Sequence, residues 1–360
     1  MKKSLIALAA LAATASFAQS TVTISGLVDA GYRLTTGADN VKSQGMNGTG
    51  NAATTVLTVA GSEDLGGGLK ANFQLQITPD FINGNGVGGS GATNVGTGQQ
   101  AYVGLSGNFG EVQAGRVNSN TLDAWGVGSV FGTALGSGYG SNGNIYTRYS
   151  KTATGAANSA PTRFNGAVRY ISPAFNGFSG SLLVVPKAKD TDAQSVTDFG
   201  LKYANGPLNV MFSSQEIKQT GTVGADSSFI GAGSQALTTG TSNKVNALSA
   251  NYTFGAATVY GATWTEKQNT AIAIDTRGYM LGGKYIIGAT TLMASVGRSD
   301  DRTGANVDKK IYGLGADYAL SKRSTLFARY ENRDANSNSA VADATNGTTK
   351  VTSFGIKHTF

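Results

Sequence analysis

Short segments in which apolar and polar residues alternate strictly, cut by recurring turn residues, constrain this chain more than any other feature. In Leu69–Ile77, Ala71, Phe73, Leu75 and Ile77 alternate with Lys70, Asn72, Gln74 and Gln76. Over Val196–Tyr203, Phe199, Leu201 and Tyr203 alternate with Asp198, Gly200 and Lys202. Near the end, Phe354, Ile356 and Phe360 alternate with Ser353, Gly355 and Lys357. A period of two puts each set on its own face of a strand. One face is apolar, while the other is small, polar or charged and offers nothing for a second sheet to pack on. That pattern favours a barrel with its oily face outward over a sandwich.

The turns set the strand count. Tight turns fall at Glu63–Gly68, Gly107–Gly110, Ser172–Gly177, Asn205–Pro207, Gly255–Ala256, Ile287–Ala289 and Ala319–Lys322, most of them holding Gly, Asn or Pro. Seven turns make seven hairpins, and a lone strand at each end, Thr21–Leu34 and Lys350–Phe360, brings the total to sixteen. The end strands must pair, because an unpaired backbone group in hydrocarbon costs several kcal/mol and a sheet survives there only without edges. The predicted fold is all-β: a sixteen-stranded antiparallel transmembrane β-barrel, short turns on one rim and long loops on the other. Barrels of about sixteen strands enclose an aqueous channel. Tyr170, Tyr203, Tyr252, Phe254, Tyr285, Tyr318, Tyr330 and Phe360 fall near strand ends, as interfacial girdles require.

The first eighteen residues read as an export signal: Lys2 and Lys3, an apolar run from Leu5 to Ala13, then Ser16-Phe17-Ala18 as a cleavage site. Residues 1–18 are therefore expected to be removed, leaving 19–360 as one barrel domain without a linker. The apolar run is too short for a membrane helix, which needs about 20 residues. Removing Lys2 and Lys3 lowers the formal net charge of +7 by two. The remaining surplus is mild and forms no basic stripe interleaved with aromatics, so nucleic acid is not an expected partner. With no cysteine, an exported chain holds its shape without disulfides.

Reactive chemistry is sparse. Gly66-Gly67-Gly68-Leu69-Lys70 superficially resembles a phosphate-binding loop, but it lacks the Gly-Lys-Ser/Thr ending and leads into a strand. His358 is the only histidine, and its phase with Phe354, Ile356 and Phe360 turns it outward, away from any nucleophile it might activate. No catalytic residue, metal site or cofactor is expected. Lys70, Arg163, Arg169, Lys202, Lys284 and Lys357 occupy polar phases and are expected to line the lumen. A Lys or Arg at the lipid midplane costs ~2–4 kcal/mol, which excludes them from the other face. Asp300-Asp301-Arg302 and Asp308-Lys309-Lys310 bracket an expected external loop and read as surface charge near lipopolysaccharide.

Several motifs resemble the β-proteobacterial (neisserial-type) general outer-membrane porins. Gly61-Ser62-Glu63-Asp64-Leu65-Gly66-Gly67-Gly68-Leu69-Lys70 with Phe73-Gln74-Leu75 is similar to that family's first turn. Ala101–Gly110 leading to Gly115-Arg116 is similar to its second hairpin. Tyr170-Ile171-Ser172-Pro173, Tyr318–Ser324 and the ending Gly355–Phe360 continue the match in order along the chain. The resemblance implies a homotrimer of barrels in the Gram-negative outer membrane, passing ions and small hydrophilic solutes by passive diffusion, with no enzymatic turnover. It also implies that Phe360 is the assembly signal read by the outer-membrane insertion machinery. A third external loop, from about Val117 to Pro161, would fold inward and narrow the pore. Arg116 and Asp123 are then the expected constriction residues, opposite charges near a narrow neck. Family arginines are replaced here by Val56 and Gln99, which implies a neck less basic than in relatives, while the mild charge surplus predicts a slight lean to anions. A solute-specific channel of the same build, using Asn118, Asn120 and Asp123, is the alternative reading; an adhesin or a barrel enzyme fits less well.

Overall fold

Backbone pairing runs round a closed ring. The computed structural model describes residues 21–82, 99–139, 146, 162–186, 194–219, 240–269, 273–304, 306–336 and 347–360. The expected export signal and its cleavage point lie outside them. In chain order the elements are β1 (Thr21–Thr36), β2 (Lys42–Asn47), β3 (Val56–Gly66), β4 (Leu69–Ile77), β5 (Ala101–Gly107) and β6 (Gly110–Asn118). Helix α1 (Asn120–Gly128) follows, then β7 (Arg163–Ile171), β8 (Phe178–Val185), β9 (Gln194–Asn205), β10 (Leu208–Gln219) and β11 (Thr241–Phe254). The remainder is β12 (Ala257–Asn269), β13 (Ile274–Ile287), β14 (Thr290–Asp301), β15 (Asp308–Ala319), β16 (Ser324–Asn336) and β17 (Gly347–Thr359).

Seventeen strand segments make sixteen staves. On one side β1 pairs with β17, from Leu27 opposite Thr359 to Thr36 opposite Lys350. On its other side β1 pairs with β3 through Thr21–Leu27 and with β2 through Gly31–Thr36. Thus β2 and β3 are two halves of one stave, interrupted by residues 48–55. The ring is a closed sixteen-stranded antiparallel barrel, as the turn count requires, and all seven turns fall where the sequence places them. In the first turn Gly66, Gly67 and Gly68 all have positive φ, a conformation other residues adopt only at a cost.

The alternation resolves into two faces. Val22, Ile24, Val103, Leu281 and Leu314 are more than half exposed on the outside. That much apolar surface suits lipid rather than water. Tyr170, Tyr252, Phe254, Tyr285, Tyr318 and Phe360 are exposed around the short-turn rim, and the Tyr170 hydroxyl donates to the Phe109 carbonyl at 2.7 Å. Tyr330 differs, lying mid-strand opposite Leu314 and Thr352. His358 faces outward at this rim, with Nδ1 2.9 Å from Ser324 Oγ.

Inside, the polar phase is not uniformly polar. Leu183, Val185, Val196, Met211, Ile217, Val245, Ala262, Trp264 and Met280 point inward and are buried. They pack against Leu122, Ala124 and Trp125 of α1 and against Tyr146, giving an apolar core inside the barrel. The pattern read as water-facing is therefore apolar on the loop-side half of β8–β13, because the inward loop covers it.

Candidate functional site

The site is the neck formed where the segment after β6 turns into the lumen. Ser119 starts the turn: its side chain accepts from Leu122 N at 3.0 Å and caps α1. The helix was not legible in the sequence, since Gly126 and Gly128 weaken helical propensity. The Ser119 cap with Asp123 in the first turn was the available signal.

Wall residues hold this segment from several sides. At its start, Asp198 of β9 accepts from Asn120 N at 2.6 Å, and Asn120 Nδ2 donates to the Asp198 carbonyl at 2.8 Å. In its middle, Asn251 Nδ2 donates to the Val127 carbonyl at 2.9 Å. Toward its far end, Gly136 N and Gly138 N donate to Glu331 Oε2 at 2.7 and 3.1 Å. Ser295 Oγ donates to the Gly136 carbonyl at 2.7 Å, and Leu135 N donates to the Gly50 carbonyl at 3.2 Å. Phe131 lies under the Arg329 guanidinium, 5.6 Å from its ring centroid. Trp125, Tyr139, Tyr146 and Trp264 form a linked aromatic cluster with centroids 4.7–6.4 Å apart. Burial raises the Tyr139 and Tyr146 phenols above their ordinary range, so both stay neutral hydroxyls at physiological pH.

What the loop leaves open is an eccentric passage of about 840 Å³. Leu122, Asp123, Val127 and Tyr139 line its loop side, and Arg163, Arg169, Ser181 and Lys202 line the barrel wall. Thr54 and Gln99 complete the margin. Three cations therefore face one carboxylate. Asp123 Oδ2 meets Arg169 Nη2 at 2.6 Å, and Arg169 also donates to Asn120 Oδ1 at 2.7 Å and to the Asn118 carbonyl at 3.2 Å. Asn120 is thereby committed to the loop's root. Among the described residues, Arg163 and Lys202 have no carboxylate within ion-pair distance.

The remaining expected residues lie elsewhere. Arg116 Nε donates to the Gln99 carbonyl at 2.7 Å and Nη1 to Asn165 Oδ1 at 2.6 Å; it is not brought to Asp123. In the ladder it lies opposite Ala101, which in turn faces Leu75, a residue of the lipid-side phase. Lys70 sits one residue beyond the first turn, opposite Asp64 and Ser106. Lys284 points inward, 5.9 Å from the Tyr260 ring centroid, and Lys357 Nζ lies 3.7 Å from Asp317 Oδ2. Phe360 closes the seam: Gly26 N donates to its carbonyl at 3.0 Å, and its own N–H donates to the Gly26 carbonyl at 3.1 Å. A Cβ on Gly26 would meet Phe360 Cζ at 2.5 Å, so the ring needs a glycine beneath it. Arg169 as the partner of Asp123 is the functional pairing the sequence did not reveal.

A closed, lipid-faced barrel with a charged, loop-narrowed lumen has known counterparts. Residues 5–338 match the family described as Gram-negative porin. Outer membrane porin protein 32 of Delftia acidovorans is 32% identical over 303 residues, 78% of this chain and 75% of that protein. Major outer membrane protein P.IB of Neisseria lactamica is 34% identical over 216 residues, 57% of this chain and 56% of that protein. Among solved structures, the anion-selective porin from Comamonas acidovorans superposes with a TM-score of 0.76 at 24% identity, covering 95% of this chain and all of that one. The trimer form of OmpT from Vibrio cholerae gives 0.68 at 16% identity, covering 95% and 99%, and like the preceding match it speaks to the fold. The length of the family match, the relative aligned over three-quarters of both chains and the closed barrel agree: this chain is a member of the Gram-negative porin family.

Proposed function

We propose that the passage between α1 and strands β7–β9 is the selectivity neck of this channel, and that it favours small anions slightly. As a Gram-negative porin the protein resides in the outer membrane and conducts solutes by passive diffusion, without turnover. The reading of the neck rests on one observation: Arg163, Arg169 and Lys202 line it against the single carboxylate of Asp123. Among the described residues a passing anion meets Arg163 and Lys202 with no carboxylate within ion-pair distance, although Asp123 also acts on Arg163 electrostatically, whereas Arg169 is paired directly with Asp123. Lys70, Lys284 and Lys357 extend the basic wall toward the short-turn rim.

The test is planar-bilayer recording of refolded protein. Stepwise conductance proportional to salt, with a reversal potential displaced modestly toward the anion value, is the expected result. Channels with cation preference would remove the proposed neck.

We also propose three associations. The outward faces of β1, β4, β5 and β6 carry Val22, Ile24, Phe73, Leu75, Val103, Leu105 and Val112, an apolar surface with a shallow groove, suited to the subunit contacts of a homotrimer. On the outer face near the loop rim, Lys244 lies directly across from Lys267, and Arg298 across from Lys310. Lys267 reaches Asp275 at 4.0 Å and Arg298 reaches Asp300 and Asp308 at 3.1 and 3.5 Å, which leaves Lys244 and Lys310 as the cations of this band best placed to meet lipopolysaccharide phosphates. Phe360 serves as the assembly signal, and residues 1–18 as a cleaved export signal.

A further inference from the structure

The interruption between β2 and β3 is more than a bulge in a stave. We propose that residues 48–55 form a second narrowing element of the pore, with Thr54 as its channel-facing residue and Asp29 as the residue that positions it. The proposal deepens the reading of the lumen as an open diffusion path and rests on it.

The segment is built, not slack. Asp29 of β1 is fully buried, and its Oδ2 accepts from Asn51 N at 2.7 Å, Ala52 N at 2.9 Å and Ala53 N at 3.0 Å. Its Oδ1 accepts from Asn51 Nδ2 at 3.2 Å, and its backbone N–H donates to Thr55 Oγ1 at 2.9 Å. A carboxylate that takes three successive backbone N–H groups holds that backbone in one shape by charge-assisted bonds. Asn51, itself buried, is gripped from the other side. Its Oδ1 accepts from Arg33 Nη2 at 3.0 Å and from Ser353 Oγ at 2.9 Å, and its Nδ2 donates to the Asn47 carbonyl at 3.0 Å. Gly31 makes the room: a Cβ there would lie 3.1 Å from Asn51 Cγ and 2.8 Å from Ser353 Oγ.

This fixed segment serves the neck in two ways. Thr54 lines the same passage as Asp123, Arg163 and Arg169, so the second stave reaches the neck only through its broken part. Gly50 offers its carbonyl to Leu135 N at 3.2 Å and so supports the inward loop. An uninterrupted β2–β3 strand would keep its backbone in the wall and could do neither. The element supplies bulk and support but no charge, because residues 48–55 include no charged side chain and the Asp29 carboxylate is sealed beneath them.

The chain has no cysteine, so Thr54→Cys creates a single thiol. Refolded Thr54→Cys channels would be recorded before and after reaction with a cationic and, separately, an anionic methanethiosulfonate. Because conduction responds to the narrowest ring, single-channel conductance should fall by roughly a quarter or more. The two adducts should displace the reversal potential in opposite directions. Complete modification, verified by mass, with conductance and reversal potential both unchanged would overturn the proposal. Unmodified protein that forms no channels would instead refute the diffusion reading beneath it. In an Asp29→Asn, Thr54→Cys double variant the conductance loss on modification should shrink, as the released segment leaves the passage. A loss equal to that of the single variant would strip Asp29 of its positioning role. Where the double variant does not fold, the single variant still decides whether Thr54 borders the pore.

Discussion

Asp123 on the lumenal helix and Arg169 on the wall strand β7 meet through a 2.6 Å contact beside the passage that both line. Arg169 is nearly buried while Asp123 keeps a third of its side chain exposed, so the carboxylate both anchors the loop and touches the ion path. Loop position and passage charge are thus coupled through this pair.

Removing each partner should move selectivity in opposite directions. Asp123→Asn leaves Arg169 uncompensated and should raise anion preference; Arg169→Gln should lower it. One unit charge about 7 Å from a passing ion at water-like dielectric changes each ion's energy by about 0.6 kcal/mol in opposite directions for anion and cation, so the permeability ratio changes up to about sevenfold at low salt and less as salt screens it. Reversal potentials under a KCl gradient provide the measurement, and shifts of the same sign in both variants would contradict the arrangement.

Arg116→Ala should behave differently. Its guanidinium is committed to the Gln99 carbonyl and Asn165 Oδ1, and Arg116 itself does not line the passage. Selectivity should change little, while stability falls by ~1.5–3 kcal/mol, the value of hydrogen bonds to a charged group. Urea unfolding of the refolded protein reads the second effect, bilayer recording the first.

Among the lumenal lysines, Lys202 should matter more than Lys357. Lys202 borders the neck, whereas Lys357 lies 3.7 Å from Asp317, which screens its charge. Lys202→Gln should therefore displace the reversal potential toward the cation value further than Lys357→Gln. Equal displacements would mean that both sit at comparable distance from the ions.

Phe360→Ala tests the assembly signal. The backbone bonds between Phe360 and Gly26 do not depend on the ring, so refolding in detergent should survive. Insertion into the outer membrane of cells should drop severalfold, read as the heat-modifiable folded fraction. Normal insertion would leave the ring a packing role against Gly26 only.

Much of this architecture was legible because it is local. Each short turn needs residues such as Gly66–Gly68 that tolerate its geometry, and each strand face must match lipid or water, so turn count and phase follow from near neighbours in the chain. What escaped depends on distant partners. Nothing near Asp29 in sequence announces that it will hold residues 51–53, and no pattern around Asp123 selects Arg169 over Arg116. The apolar inward faces at Met211, Val245 and Trp264 make sense only once the loop is laid upon them. In that half, a buried strand and a lipid-exposed strand look alike in sequence.

The inward loop reaches from Asp198 in β9 to Glu331 in β16, with a third hold at Gly50. A hollow cylinder is weakest against ovalisation, and an internal strut fixed at several points around the wall resists that mode directly. Lateral pressure from the surrounding bilayer would have to break these buried hydrogen bonds before it could flatten the ring. The pore's cross-section should accordingly hold steady when membrane tension changes, making this channel a rigid sieve rather than a pressure-sensitive valve.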